Sequence, residues 1–139
     1  MKIYFCGSIR GGRQDQEMYA KIVNHLKKHG DVLTEHVAMG PMLGLKEKDV
    51  SDQMIYDTDT NWLRESDVVV AEVTTPSIGV GYELGIAETF KKPILCLFRP
   101  GKERRLSAMV SGNKWLLVKE YKGVQEAFKH IDDFLANGR

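Results

Sequence analysis

The sequence lacks an excess of charge of either sign. Twenty lysines and arginines stand against nineteen aspartates and glutamates, a formal net charge of +1, so no broad basic field is available to hold a nucleic-acid polymer. A negatively charged ligand would have to be gripped locally. A long apolar run is missing as well. Met1-Lys2-Ile3-Tyr4-Phe5-Cys6-Gly7 is too short for a signal-peptide core, and no segment approaches the length of a transmembrane helix. The expectation is a cytoplasmic protein, entering the nucleus by diffusion if at all, without membrane contact. Only two cysteines occur, Cys6 and Cys96, both in predicted buried strands where a free thiol behaves as a small hydrophobe. His25, His29 and His130 fall in helical patterns and read as having no metal-ligand spacing. No metal and no cofactor is assigned. Repeats and low-complexity segments are absent.

What is present is 139 residues, 42% hydrophobic and 28% charged, which suits a single domain over 1–139 with a sizeable core. Apolar runs predict five strands at 2–6, 31–34, 68–73, 93–98 and 115–119. Between them, helical spacing covers 15–29, with Gly30 as its stop, and 51–65, with Ser51 as N-cap and Met54, Ile55, Trp62 and Leu63 as an apolar stripe. A Gly-spaced helix follows the third strand, a short helical piece covers 106–110, and a last helix covers 123–135. Alternating elements of this kind give an α/β fold with a parallel, doubly wound sheet of five strands and helices on both faces. The loops after strands one, three and four then gather along one sheet edge, where such folds bind ligands.

The stretch Asp67 through Glu83 organises the chain. The β-branched run 68–73 stops at Thr74-Thr75-Pro76-Ser77 and restarts as Ile78-Gly79-Val80-Gly81-Tyr82-Glu83, a buried strand feeding a helix N-terminus. Hydroxyls and free backbone N–H groups at that junction suit an anion. Glu83 is its carboxylate, although a glutamate early in a helix is also favoured by the helix dipole alone.

Four other regions hold candidate residues. Gly7-Ser8-Ile9-Arg10-Gly11-Gly12-Arg13 joins a strand to a helix, a phosphate-cradling arrangement that nevertheless fits neither the dinucleotide fingerprint nor the P-loop. It reads equally as a structural turn, and its two arginines favour an anion. Beyond the second strand, His36 could face the site or serve a structural role, and 38–48, with Gly40, Pro41 and Gly44, forms an irregular connection that is a candidate lid. Asp57 and Asp59 lie on the helix 51–65, where acidic residues are usually solvated. The basic loop Arg99-Pro100-Gly101-Lys102-Glu103-Arg104-Arg105 precedes Ser107 and Met109, and it reads either as solvated surface or as a ligand contact.

Tyr4 through Arg13, Leu33-Thr34-Glu35-His36-Val37, Asp67 through Glu83 and Leu95-Cys96-Leu97-Phe98-Arg99-Pro100 resemble the nucleoside 2-deoxyribosyltransferase-like family. Within it they resemble the members that hydrolyse deoxynucleoside 5'-monophosphates. The resemblance implies a homodimeric, flavodoxin-like (Rossmann-like) enzyme that cleaves the N-glycosidic bond. Its nucleophilic glutamate falls on Glu83, its catalytic aspartate on Asp59 and its site tyrosine on Tyr4. Its substrate-binding positions fall on Ser8, Ile9, Arg10, Gly11, Gly12, Arg13, His36, Ser77, Gly79, Ser107 and Met109, with Ser107 supplied across the dimer interface. A deoxyribosyl-transferring enzyme and a non-catalytic nucleotide-binding module are the alternatives.

Overall fold

The computed structural model describes residues 1–9, 15–35 and 49–138. Strands β1 (Lys2–Cys6), β2 (Asp31–Val32), β3 (Val68–Glu72), β4 (Ile94–Phe98) and β5 (Leu117–Glu120) form one parallel sheet in the order β2-β1-β3-β4-β5. This is the flavodoxin-like order, and its winding reverses between β1 and β3. Helices α1 (Gln16–Leu26), α2 (Asp52–Glu65), α3 (Ile78–Thr89), α4 (Ala108–Ser111) and α5 (Val124–Asn137) connect or follow the strands. None of the described helices is long and apolar enough to cross a membrane.

Strand alternation divides the core in two. Ile3, Phe5, Val68, Val70, Leu95 and Leu97 pack against Ile22, Val23 and Leu26 of α1 and Ala127, Ile131 and Phe134 of α5. On the other face, Tyr4, Cys6, Val69, Ala71, Ile94 and Cys96 pack against Leu63 of α2 and Val80, Leu84 and Ala87 of α3. Each fully buried aliphatic side chain contributes about 1.5–3 kcal/mol. Cys6 and Cys96 are free and buried, as the sequence predicts, and burial raises the Cys6 thiol well above its ordinary range and the Cys96 thiol to about 12.

Several boundaries differ from expectation. β2 stops at Val32 and not at residue 34, because the Thr34 side chain takes over the next rung. Its Oγ1 accepts from Phe5 N–H at 2.8 Å and donates to Phe5 carbonyl at 2.5 Å. Helix α1 ends at Leu26 and not at 29. Gly30 is needed there for space, since a Cβ would lie 2.2 Å from the Met1 carbonyl oxygen. Gly7 likewise admits no side chain, because its Cβ would stand 2.8 Å from the Tyr19 ring. Ser51 caps α2 by accepting from Met54 N–H at 3.1 Å, as expected, yet of the expected stripe only Leu63 is buried and Met54 is 38% exposed. That helix therefore covers the sheet with Leu63 and the partly buried Trp62, while Ile55 is half-buried and Met54 faces out.

His25 and His29 were expected to have no ligand spacing. The packing of α1 on α5 brings both rings to one carboxylate, His25 Nε2 and His29 Nε2 each meeting Asp132 Oδ1, at 2.6 and 2.9 Å.

Candidate active site

The alternation that sends Ile3 and Phe5 toward α1 and α5 sends Tyr4 toward α2 and α3. There the Tyr4 hydroxyl donates to Glu83 Oε2 at 2.5 Å. Glu83 sits in the second turn of α3, whose N-cap is Ser77, accepting from Val80 N–H at 3.3 Å. Gly79 lies between them: a Cβ on it would stand 3.8 Å from both Glu83 Oε1 and Ser77 Oγ. Asp59 comes from α2, half-buried, and its Oδ1 has no hydrogen-bond partner. Its charge acts on Tyr4, Cys6 and Glu83, so one electrostatic cluster spans β1, α2 and α3.

Burial raises both carboxyls. Glu83 moves from its ordinary 4.5 to about 7 through burial, with the Tyr4 hydrogen bond pulling down and the Asp59 charge pushing up. Asp59 moves from 3.8 to about 6 through burial alone. The Tyr4 phenol is driven far above its usual range, first by burial and then by Glu83 and Asp59, so it remains a proton donor. Near neutrality two carboxyl groups thus hold about one proton between them, a condition suited to paired nucleophilic and acid chemistry.

A family model described as nucleoside 2-deoxyribosyltransferase matches residues 3–126. The chain belongs to the nucleoside 2-deoxyribosyltransferase family. A Rattus norvegicus protein named 5-hydroxymethyl-dUMP N-hydrolase is 60% identical over 111 residues, which cover 79% of this chain and 68% of that one. A Tetraodon nigroviridis protein of the same name is 50% identical over 142 aligned positions, covering 99% of both chains. Among solved structures, a Clostridium botulinum CMP N-glycosidase aligns with a TM-score of 0.64 over 96% of this chain and 99% of that one, at 14% identity. That last likeness is one of fold.

Within this nucleoside 2-deoxyribosyltransferase-family fold, the other expected site residues are distributed unevenly. Ser8, at the carboxyl edge of β1, is 1% exposed, and its Oγ has no partner. Ile9 beside it is 38% exposed. Ser107 is exposed and caps α4, accepting from Met109 N–H at 3.3 Å, while Met109 is 82% exposed. No hydrogen bond among the described residues joins Ser107 or Met109 to Tyr4, Asp59 or Glu83. Arg10, Gly11, Gly12, Arg13 and His36, with the candidate lid at 38–48, lie outside the described residues.

The sequence reading missed a polar brace beside the site. Asp15 Oδ1 pairs with Arg99 Nη2, and Asp15 Oδ2 accepts from Thr75 Oγ1 at 3.0 Å. Arg99 Nη1 donates to Tyr121 Oη at 3.4 Å, and that hydroxyl donates to Glu72 Oε2 at 3.0 Å. Glu72 Oε1 accepts from Thr74 N–H at 2.6 Å, and Thr74 Oγ1 accepts from Arg99 N–H at 2.9 Å. The hydroxyls of Thr74 and Thr75, expected to face an anion, are thus engaged within the protein. Glu72 is 0% exposed, and burial raises its carboxyl above the ordinary range. The signal for it was a carboxylate inside an otherwise apolar strand, which requires a buried partner.

Proposed function

We propose that this chain hydrolyses the N-glycosidic bond of 2'-deoxynucleoside 5'-monophosphates to free base and 2-deoxyribose 5-phosphate. The observation that carries the proposal is the Tyr4–Glu83–Asp59 cluster, two carboxyls raised to about 7 and about 6 at the sheet's ligand-binding edge. The names of the relatives support the same reading, which rests on 5-hydroxymethyl-dUMP N-hydrolases similar over most or all of this chain.

In this reading the pair reacts in the arrangement that leaves its one proton on Asp59, the less populated of the two because Glu83 keeps a proton to the higher pH. Ionised Glu83 then forms a bond to C1' as the C1'–N bond breaks. The bonding pair leaves with the base, and protonated Asp59 supplies its proton. Water then attacks C1', Asp59 takes the water proton, and Glu83 departs as carboxylate, the sequence of a retaining glycosidase. Absence of the 2'-hydroxyl eases the oxocarbenium-like transition state. Tyr4 fixes the Glu83 rotamer and favours its ionised form. Ser8 Oγ, buried without a partner, and Ser77 at the α3 N-terminus serve the phosphate, where a helix end suits an anion.

The proposal includes a second copy of the chain. Exposed Ser107 and Met109 on one copy, and exposed Ile78 and Tyr82 beside the site on another, would meet so that Ser107 of the partner subunit completes the phosphate site. Mixing folded, inactive Glu83→Ala and Ser107→Ala proteins tests this. Heterodimers with one intact site restore activity; no recovery on proven subunit exchange contradicts the shared site.

A deoxyribosyl transfer to a second base shares the covalent step, and the family description names it. Incubation with 5-hydroxymethyl-dUMP or dGMP separates the two. Release of base and deoxyribose 5-phosphate without an added acceptor base supports hydrolysis, and release only when an acceptor is present overturns it.

A further inference from the structure

At the far end of α1 from the catalytic edge, three potential ligands converge from the last turn of α1, the turn that follows it and α5. Their donor atoms, one each from His25, His29 and Asp132, all lie within 4.8 Å of one another. We propose that these three residues form a binding site for a borderline divalent transition-metal ion such as Zn²⁺.

The ligand set fits that class of ion. Two imidazoles and one carboxylate suit zinc and its neighbours, whereas Ca²⁺ and Mg²⁺ need several oxygens and are offered one side-chain carboxylate. The geometry is close to what a tetrahedral ion requires. With bonds of about 2.0–2.2 Å, such an ion holds its donors roughly 3.3–3.5 Å apart. The present 2.6 and 2.9 Å contacts to Asp132 Oδ1 would open by less than an ångström to admit it. Asp132 has the freedom to make that adjustment, its side chain being 49% exposed.

The imidazoles are placed in advance. The His25 ring stacks on Phe128 at 4.0 Å between centroids with 4° between planes, and packs edge-on to His29 at 5.4 Å. The apolar packing of α1 against α5 fixes the separation of the two helices. In the metal-free chain His25 Nε2–H donates to Asp132 Oδ1, and an ion would take the place of that proton, which moves to the unpartnered Nδ1 or is released. His29, with its side chain 33% exposed, leaves the remaining coordination positions open to water.

The test is calorimetric titration of the full chain, stripped with chelator, with ZnCl₂. Thermal melts and the visible absorption of added Co²⁺ accompany it. The expected result is one saturable site per chain, a rise in Tm with the metal, and a tetrahedral Co²⁺ band. His29→Ala and Asp132→Asn should each weaken binding roughly tenfold or more, and His130→Ala, on α5 but outside the cluster, should bind as the wild type does. Both test residues are partly exposed, so their variants keep the core, and either alone suffices. No saturable binding, or unchanged affinity in His29→Ala or Asp132→Asn, overturns the proposal.

Discussion

The Tyr4 hydroxyl lies 2.5 Å from Glu83 Oε2, a bond from the middle of β1 to the second turn of α3. Tyr4 is 1% exposed, with its ring packed in the sheet's α2/α3 face. The carboxylate is therefore oriented by a group with almost no freedom of its own, which is what a nucleophile needs for reproducible approach.

Tyr4→Phe keeps the ring and removes that bond. A hydrogen bond to a charged group contributes about 1.5–3 kcal/mol, so kcat should fall roughly ten- to a hundredfold. Because the bond lowers the Glu83 pKa, its loss should also move the alkaline limb of the pH profile, set by the carboxyl near 7, upward. A variant with lowered kcat and an unmoved limb would give Tyr4 a packing role only.

Activity should show a bell-shaped dependence on pH. Below about 6 both carboxyls carry protons and Glu83 cannot attack; above about 7 both are ionised and no acid remains. The maximum of kcat/KM should fall between these values. A flat profile from pH 5 to 9 would contradict the shared-proton account.

The raised Glu83 pKa also has a thermodynamic signature. Between its ordinary 4.5 and about 7 the folded chain binds more protons than the unfolded one, so stability falls as pH rises through this window and then levels. Glu83→Gln keeps an acceptor for Tyr4 and removes the buried charge. It should be more stable than wild type at pH 8 by as much as about 3 kcal/mol and equal to it at pH 4. Urea denaturation at both pH values measures the difference, and equal stability at pH 8 would contradict it.

The buried brace should matter for folding. Asp15→Ala leaves Arg99, whose side chain is only 23% exposed, without its ionic partner. Breaking a buried pair costs about 3–5 kcal/mol, and the lower end applies here because Arg99 reaches solvent. A loss under about 1 kcal/mol in chemical denaturation would make the pair a surface contact.

Much of this architecture is legible in the residues because parallel strands buried on both faces must be continuously apolar, and 68–73 and 93–98 are. Alternation along β1 sets Tyr4 on the face opposite Ile3 and Phe5, but that α2 and α3 cover that face is decided by the packing, and the sequence marked Tyr4 only through the family resemblance. What stayed hidden depends on side chains from distant segments. Nothing local says that Thr34 replaces a strand rung, that Gly30 must clear Met1, or that Asp132 meets His25 from a residue 107 positions away. Asp59 was ambiguous for the same reason. Its position on α2 fits a solvated residue, and only the sheet beneath that helix makes it half-buried beside Glu83.

The role of Glu83 is tested most directly by assaying purified wild-type and Glu83→Ala proteins side by side on 5-hydroxymethyl-dUMP and dGMP. Free base and 2-deoxyribose 5-phosphate are quantified, and nucleotide binding is measured in parallel. The expectation is hydrolysis by the wild type and a loss of orders of magnitude in the variant, with the fold and nucleotide affinity kept, since a bond-forming group is gone and the phosphate anchor remains. Retention of more than about a tenth of the wild-type rate, a barrier change of only ~1.4 kcal/mol, would show that Glu83 is not the nucleophile.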